Sequence, residues 1–277
     1  MQIQQARAHI MATLASGESP RADADALLCH LLDCRRSYLM TWPEHELDAA
    51  QQATLAGWLA RRLNGEPIAH LIGEREFWSL PLKVSPATLI PRPDTEVLVE
   101  QALARLQDGP CALLDLGTGT GAIALALKSE RPDADVWAVD RMPAAAALAR
   151  TNSAALGLPI EVRDGSWFAP LSDAPRFAMI VSNPPYIDGT DPHLHEGDVR
   201  FEPRSALVAE EQGLADIRLI VTQAPAHLVP GGWLLLEHGW DQGEAVRQLL
   251  LQQGYVQVET VRDYGDNERV TLGRLAQ

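Results

Sequence analysis

The sequence is poor in the features that mark a secreted, membrane-bound or nucleic-acid-binding protein. Only three cysteines occur in 277 residues, Cys29, Cys34 and Cys111, and their spacing makes neither a metal-ligand set nor a disulfide framework. No apolar run approaches the roughly 20 residues needed to span a bilayer, so no membrane association is expected. The opening Met1-Gln2-Ile3-Gln4-Gln5 lacks the basic-then-apolar order of a signal peptide, and a cytoplasmic protein is expected. Basic residues are in deficit, 23 Lys and Arg against 37 Asp and Glu, giving a formal net charge of −14. Nucleic-acid binding draws on a basic footprint that displaces counterions from phosphates, so direct contact with nucleic acid is not expected. Low-complexity tracts and internal repeats are missing as well. What is present is 46% apolar residues, enough to build a sizeable core in one large or two small domains.

The first seventy residues read as short amphipathic helices, the makings of a bundle. Leu27, Leu28, Leu31 and Leu32 recur at helical spacing after Ser19-Pro20, a capping residue followed by a proline suited to a first turn. A later helix opens at Asp48, carries Leu55, Trp58, Leu59 and Leu63, and stops at Asn64-Gly65. Character changes at Glu66-Pro67. Residues 76–84 look like two short strands about a turn, followed by a proline-punctuated stretch from Pro86 to Pro93, after which Asp94 is placed to cap a helix bearing Val97, Leu98, Ala102 and Leu106. The expected division is a helical bundle over residues 1–72 that docks substrate, a linking β-hairpin over 73–88, and an α/β domain over 89–277.

From residue 111 strand and helix alternate. Strand-like runs at 111–116, 135–139, 160–163, 177–181 and 232–237 are separated by helix-like segments at 121–130, 143–156, 214–228 and 241–253, the rhythm of a doubly wound parallel sheet. Tyr255–Val261 and Arg269–Leu275 are strand candidates with no helix between them, which implies a hairpin and one antiparallel strand. In such sheets ligands bind at the carboxyl ends of the strands, and three sequence features fall there. Asp115-Leu116-Gly117-Thr118-Gly119-Thr120-Gly121 follows the first strand. Asp140 ends the second, nineteen residues after Gly121, where a carboxylate can accept from both hydroxyls of a ribose. Asn183-Pro184-Pro185-Tyr186 follows the fourth.

Gly117, Gly119 and Ala122 satisfy G-x-G-x-x-A, the dinucleotide fingerprint that seats a pyrophosphate on a helix N-terminus. Gly117 to Gly121 equally satisfy the close-set loop of S-adenosylmethionine-dependent methyltransferases. Asp115 separates the two readings: an acid before the loop suits the cationic amino-acid end of adenosylmethionine and sits poorly beside a pyrophosphate. Asn183 offers a side-chain carbonyl, Pro184 a stiffened backbone carbonyl, and Tyr186 a flat face with a polar tip. Together they suit a planar NH2 group, a carboxamide or the exocyclic amine of a base.

With these motifs the chain resembles class I methyltransferases that act on planar amino groups. Leu89-Ile90-Pro91-Arg92-Pro93-Asp94-Thr95-Glu96 and Arg200-Phe201-Glu202-Pro203 narrow the resemblance to the protein-(glutamine) methyltransferases of the HemK type, which modify peptide chain release factors. The resemblance covers essentially the whole chain. It implies a Rossmann-like class I methyltransferase fold, a seven-stranded sheet with one antiparallel strand, joined to an N-terminal helical bundle by a β-hairpin. It implies S-adenosyl-L-methionine as methyl donor, with S-adenosyl-L-homocysteine as product, and the glutamine of a Gly-Gly-Gln motif in class I release factors as acceptor. Asp115, Gly117, Thr118, Gly119, Thr120, Gly121, Asp140, Trp167 and Asn183 would then contact the cofactor, and Asn183, Pro184, Pro185 and Tyr186 would form the glutamine pocket. Asn183, Pro184 and Tyr186 would carry the catalysis. The family commonly has an acid just before the aromatic at 167, where this chain has Ser166, with Asp164 two residues earlier. His193, His195 and His238 do not have the spacing of a metal site, no metal is expected, and the protein is expected to be a monomer. Methylation of a ribosomal-protein glutamine or of a nucleobase, and a non-catalytic nucleoside-binding module, are the competing readings.

Overall fold

A computed structural model describes residues 1–17 and 19–277. The chain divides into two compact units, Met1–Glu74 with Gly197–Phe201, and Arg75–Glu196 with Glu202–Gln277.

The first unit is helical: α1 (Ile3–Thr13), α2 (Pro20–Leu31), α3 (Arg36–Thr41), α4 (Ala49–Leu63) and α5 (Ile68–Ile72). Ile3, Ile10, Leu27, Leu28 and Leu55 are fully buried at its centre, each such side chain stabilising the fold by about 1.5–3 kcal/mol. α4 begins with a reciprocal capping box between Asp48 and Gln51 and ends at Asn64, with Gly65 at φ +93° turning the chain away. Ser19 occupies the N-cap position of α2, but its side chain makes no capping hydrogen bond; the proline behind it sets the first turn instead. The short segment from Gly197 is tied in by Arg62 Nη1 donating to Asp198 Oδ1 at 2.7 Å and by Arg200 Nη2 donating to Asn64 O at 2.9 Å.

The second unit opens with a hairpin of β1 (Glu74–Phe77) and β2 (Leu80–Lys83). Phe77 and Leu82 are buried in that unit's core. The expected cap at Asp94 is displaced: a 3-10 turn, Pro93–Thr95, comes first, and α6 (Glu96–Leu103) starts after it with Thr95 at the N-cap. Pro93 fixes its own φ and begins the turn, which leaves Asp94 inside it. The alternation then runs β3 (Ala112–Leu116), α7 (Ala122–Glu130), β4 (Asp135–Asp140), α8 (Pro143–Leu156), β5 (Glu161–Asp164) and β6 (Phe177–Ser182). A two-residue parallel pairing of β7 (Ile187–Asp188) with β8 (Val208–Ala209), the latter preceded by α9 (Arg204–Leu207), follows. The chain closes with α10 (Ala215–Gln223), β9 (Leu228–Glu237), α11 (Gly243–Gln252), β10 (Tyr255–Arg262) and β11 (Glu268–Leu275).

Seven strands form one sheet in the order β10-β11-β9-β6-β3-β4-β5, and β11 alone runs against its neighbours. Side chains alternate across it. Leu113, Val136, Ala138 and Met179 face one core, while Leu114, Trp137, Val139 and Ile180 face the other. Two boundaries differ from the periodicity. The helix expected over 214–228 stops at Gln223 because Pro225 cannot donate to an α-helical ladder, and a 3-10 turn, Ala224–Ala226, takes over. β9 begins at Leu228 rather than 232, running through Pro230-Gly231-Gly232 with a register irregularity against β6; these residues mimic a turn in sequence.

Candidate active site

A cleft of about 900 Å³, counted with its open mouth, lies at the carboxyl ends of β3, β4, β5 and β6. Gly117, Thr118, Gly119 and Thr120 come to it from the loop after β3, Asp140 from the end of β4, Gly165 and Trp167 from beyond β5, and Asn183 and Pro185 from beyond β6. Four strands are in parallel register, so their ends bring these loops together.

The glycine loop turns on left-handed residues: Gly117, Gly119 and Gly121 have φ of +73°, +55° and +85°. Gly117 faces the Trp167 ring, where a Cβ would stand in ordinary contact at 3.5 Å, so it is the left-handed backbone rather than space that calls for glycine. Asp140 accepts from Gly119 N at 2.9 Å through Oδ2 and from Met142 N at 2.8 Å through Oδ1, locking the loop to the second strand. Burial pushes its carboxyl above the ordinary aspartate range, against these two backbone donors. Trp167, at φ +49°, is held in an uncommon conformation for a bulky residue, with Asp216 of α10 beside its side chain.

Asp115 stands elsewhere. Strand alternation turns it under the loop, fully buried, where Oδ2 accepts from the Thr118 hydroxyl at 2.6 Å and Ala124 N at 3.2 Å. It does not line the cleft, and Oδ1 has no partner. Burial is the main cause that raises its carboxyl from 3.8 to about 7. Gly121, Pro184 and Tyr186 also lie off the cleft wall, Pro184 buried and Tyr186 half-buried behind it. Asp164 bonds Arg150 at 3.1 Å, and neither it nor exposed Ser166 lines the cleft; between them only Gly165 does.

The donor set suits a nucleoside. The walls carry the Asp140 carboxylate together with Arg92 and Arg141. Glycines let the backbone approach, and a tryptophan face stands beside them. Asp115's orphaned oxygen lies buried below the loop, while its other oxygen organises the loop through Thr118 and Ala124. Among the described residues no group of three His, Cys, Asp or Glu is placed to hold a metal.

Residues 5–73 match the family model described as the PrmC N-terminal domain, and residues 93–198 that of the methyltransferase small domain. The release factor glutamine methyltransferase of Escherichia coli (strain K12) is 61% identical over 265 residues, covering 95% of each chain. That of Pseudomonas aeruginosa is 57% identical over 264 residues, again covering 95% of each. The chain belongs to the release factor glutamine methyltransferase family. The fold agrees: a methyltransferase structure from Pyrococcus furiosus superposes with a TM-score of 0.56 at 18% identity, over 80% of this chain and all of that one. The 16S rRNA N2 G1207 methyltransferase of Thermus thermophilus, solved with AdoMet and guanosine, gives 0.53 at 20% identity over 73% of this chain and 49% of that one.

The two segments that marked the release factor glutamine methyltransferase family meet in the second unit. Glu202, its side chain wholly buried, accepts from Ile90 N at 2.9 Å and from Arg92 Nη2 at 2.7 Å. Sequence reasoning missed three other residues. Asn152, buried in α8, bonds both backbone groups of Lys83 and donates to Thr120 O at 2.9 Å, joining hairpin to glycine loop. Gln242 donates to Tyr186 O at 2.9 Å, beside Gly213, where a Cβ would stand 2.0 Å from that same oxygen. Glu237 ends β9 beside Tyr186. A charge closing an apolar strand, as Glu237 does after Leu234-Leu235-Leu236, was a usable signal; Asn152 in an alanine-rich helix was not.

Proposed function

We propose that this protein transfers a methyl group from S-adenosyl-L-methionine to the side-chain amide nitrogen of the glutamine in a release factor's Gly-Gly-Gln motif, tuning translation termination. The observation that carries this is the sharing of one cleft wall by Gly117–Thr120, Asp140, Asn183 and Pro185. Adenosylmethionine, when bound, supplies an electrophilic methyl on a sulfonium. Gly117 to Thr120, Asp140 and Trp167 would hold it, Asp140 by the ribose hydroxyls and Trp167 by the adenine.

An amide nitrogen is a poor nucleophile because its lone pair is delocalised into the carbonyl. Asn183 Oδ1 and the Pro184 carbonyl each accept one amide hydrogen. This fixes the amide plane so that the nitrogen lone pair, normal to it, faces the methyl, and stabilises positive charge growing on nitrogen. Pro185 on the cleft wall packs about the carboxamide, and Tyr186, half-buried behind it, supports that wall. No general base is needed before attack, since the methylated amide becomes strongly acidic and loses its proton to water. Asn183→Ala therefore lowers turnover by roughly a hundredfold at saturating cofactor; near-normal turnover in a single-turnover assay removes Asn183 from this role.

The partner is a class I release factor, met in the cytoplasm by a monomer whose helical unit docks the protein beyond the glutamine loop. Nucleic acid and membrane are not partners. The deciding test uses methyl-labelled adenosylmethionine and a cell lysate treated with nuclease or with protease. Label that survives nuclease and maps to a Gly-Gly-Gln peptide supports the reading; label that survives protease and is lost to nuclease overturns it.

A further inference from the structure

Asn183 can serve the reaction only with its amide one way round, Oδ1 toward the cleft. Its Nδ2 points away, donating to Thr95 Oγ1 at 3.3 Å. Thr95 is the N-cap of α6, yet its hydroxyl makes no capping bond. A threonine there ordinarily spends its oxygen on the helix; here it is spent on Asn183, and Thr95 is buried. A hydroxyl accepts freely but has one hydrogen to give, and the group next to it is Glu237. The Thr95 hydroxyl lies close enough to the Glu237 carboxyl to favour its ionised form against burial, and Glu237 Oε2 is buried with no hydrogen-bond partner. Oε1 takes the Tyr186 hydroxyl at 3.4 Å.

We infer that Glu237 is a positioning residue for the methyl transfer: an acceptor-only carboxylate that draws both hydroxyl protons to itself, so that Thr95 must accept from Asn183 and both ends of Asn183–Tyr186 are held in the orientation the glutamine amide requires. The inference rests on the glutamine reading above. An ionised carboxylate accepts from both hydroxyls and offers neither of them a proton. A protonated carboxyl, or an amide, places a donor of its own among these groups, and a hydroxyl that faces this donor reverses. If Thr95 reverses, it donates to Asn183, whose amide flips and presents NH2 to a substrate NH2.

The groups around Glu237 come from four elements. Arg269 lies on β11, its Nη2 held by Asp263 at 3.0 Å. Asp94 lies in the turn before α6, and Tyr186, itself beside Arg92, follows β6. His238, the residue after β9 ends, has burial depressing its pKa, and its ring bonds Gly239 O at 2.8 Å and Thr271 Oγ1 at 2.7 Å. Burial carries the Glu237 carboxyl up to about 7 despite Thr95, Arg269 and Tyr186. The ionised, correctly oriented state is therefore depleted as pH falls through that range.

The test is single-turnover methyl transfer to a release factor, at saturating adenosylmethionine, from pH 5.5 to 9, for the wild type and three variants. Activity in the wild type establishes the glutamine reading; its absence overturns that reading and is seen before any variant is made. Glu237→Gln is expected to lose roughly tenfold or more in rate, with little change in adenosylmethionine affinity, and to lose the acid limb of the wild-type profile. Thr95→Val, similar in shape but without the hydroxyl, reproduces the rate loss, and Thr95→Ser restores it to within about threefold of wild type. Thermal melts and adenosylmethionine titration report folding independently. A folded Glu237→Gln with wild-type rate and an unchanged acid limb overturns the inference. Should that variant not fold, wild-type activity in folded Thr95→Val does the same.

Discussion

Asp115 shows what one buried carboxyl does to pH behaviour. In the unfolded chain it ionises near 3.8; in the folded chain it keeps its proton to about 7. Between these values the folded state binds more protons, so the stability associated with the neutral carboxyl declines as pH rises, and the whole penalty is in place above about pH 7. At about 1.4 kcal/mol per pKa unit it amounts to a few kcal/mol. Asp115→Asn carries no such charge. Urea unfolding at pH 5 and pH 8 is expected to show the variant gaining stability relative to wild type as pH rises. A difference that stays constant between the two values means that Asp115 is ionised throughout. Glycine loops advertise their conformation in sequence, but motif order does not show on which face of the strand Asp115 lies. Strand parity, not motif order, decides that it lies beneath the loop.

At the level of elements, the hairpin and α8 are joined by Asn152, whose amide replaces the pairing partner that Lys83 lacks on that edge. The same side chain reaches Thr120 O in the glycine loop. Asn152→Ala strands these backbone groups and is expected to cost about 2–4 kcal/mol in urea unfolding, at about 1–3 kcal/mol per unsatisfied buried group, shared over a partly relaxed site. Adenosylmethionine affinity, measured by calorimetry, is expected to fall with it. Unchanged affinity separates the hairpin from the cofactor loop. The hairpin tip offers a contrasting case. Trp78 and Ser79 both have positive φ, 52° and 59°, in a turn that ordinarily takes Asn-Gly. Trp78 is retained by its indole bond to Glu130 at 2.8 Å; exposed Ser79 has no such tie. Ser79→Gly relieves left-handed strain and is expected to raise stability by up to about 1 kcal/mol in thermal unfolding. The two strands were legible as apolar runs about a turn, but the turn's conformation was not, because tertiary anchoring of Trp78 overrides local preference.

For the whole molecule, the alternation of strand and helix from residue 111 reveals the parallel sheet, and the missing helix between β10 and β11 reveals its antiparallel strand. Both follow from chain-local periodicity. The place of β11 between β10 and β9, the return of Gly197–Phe201 to the helical unit and the meeting of Thr95, Asn183 and Glu237 depend on long-range pairing, which leaves no period to read. Net charge is the whole-molecule property that does reach function directly. At −14 the chain has little to offer a phosphate backbone, whose affinity for proteins comes largely from releasing condensed counterions. Fluorescence anisotropy with single-stranded and duplex RNA at 150 mM salt is accordingly expected to show binding weaker than about 100 μM, outside the usual non-specific range. A nucleobase methyltransferase of this size would need a local basic surface to bind there, and its affinity would fall steeply between 50 and 200 mM salt. Tight, strongly salt-dependent binding would restore the nucleobase as a competing acceptor for the Asn183–Tyr186 pocket, whereas its absence leaves a carboxamide as the planar NH2 group that pocket receives.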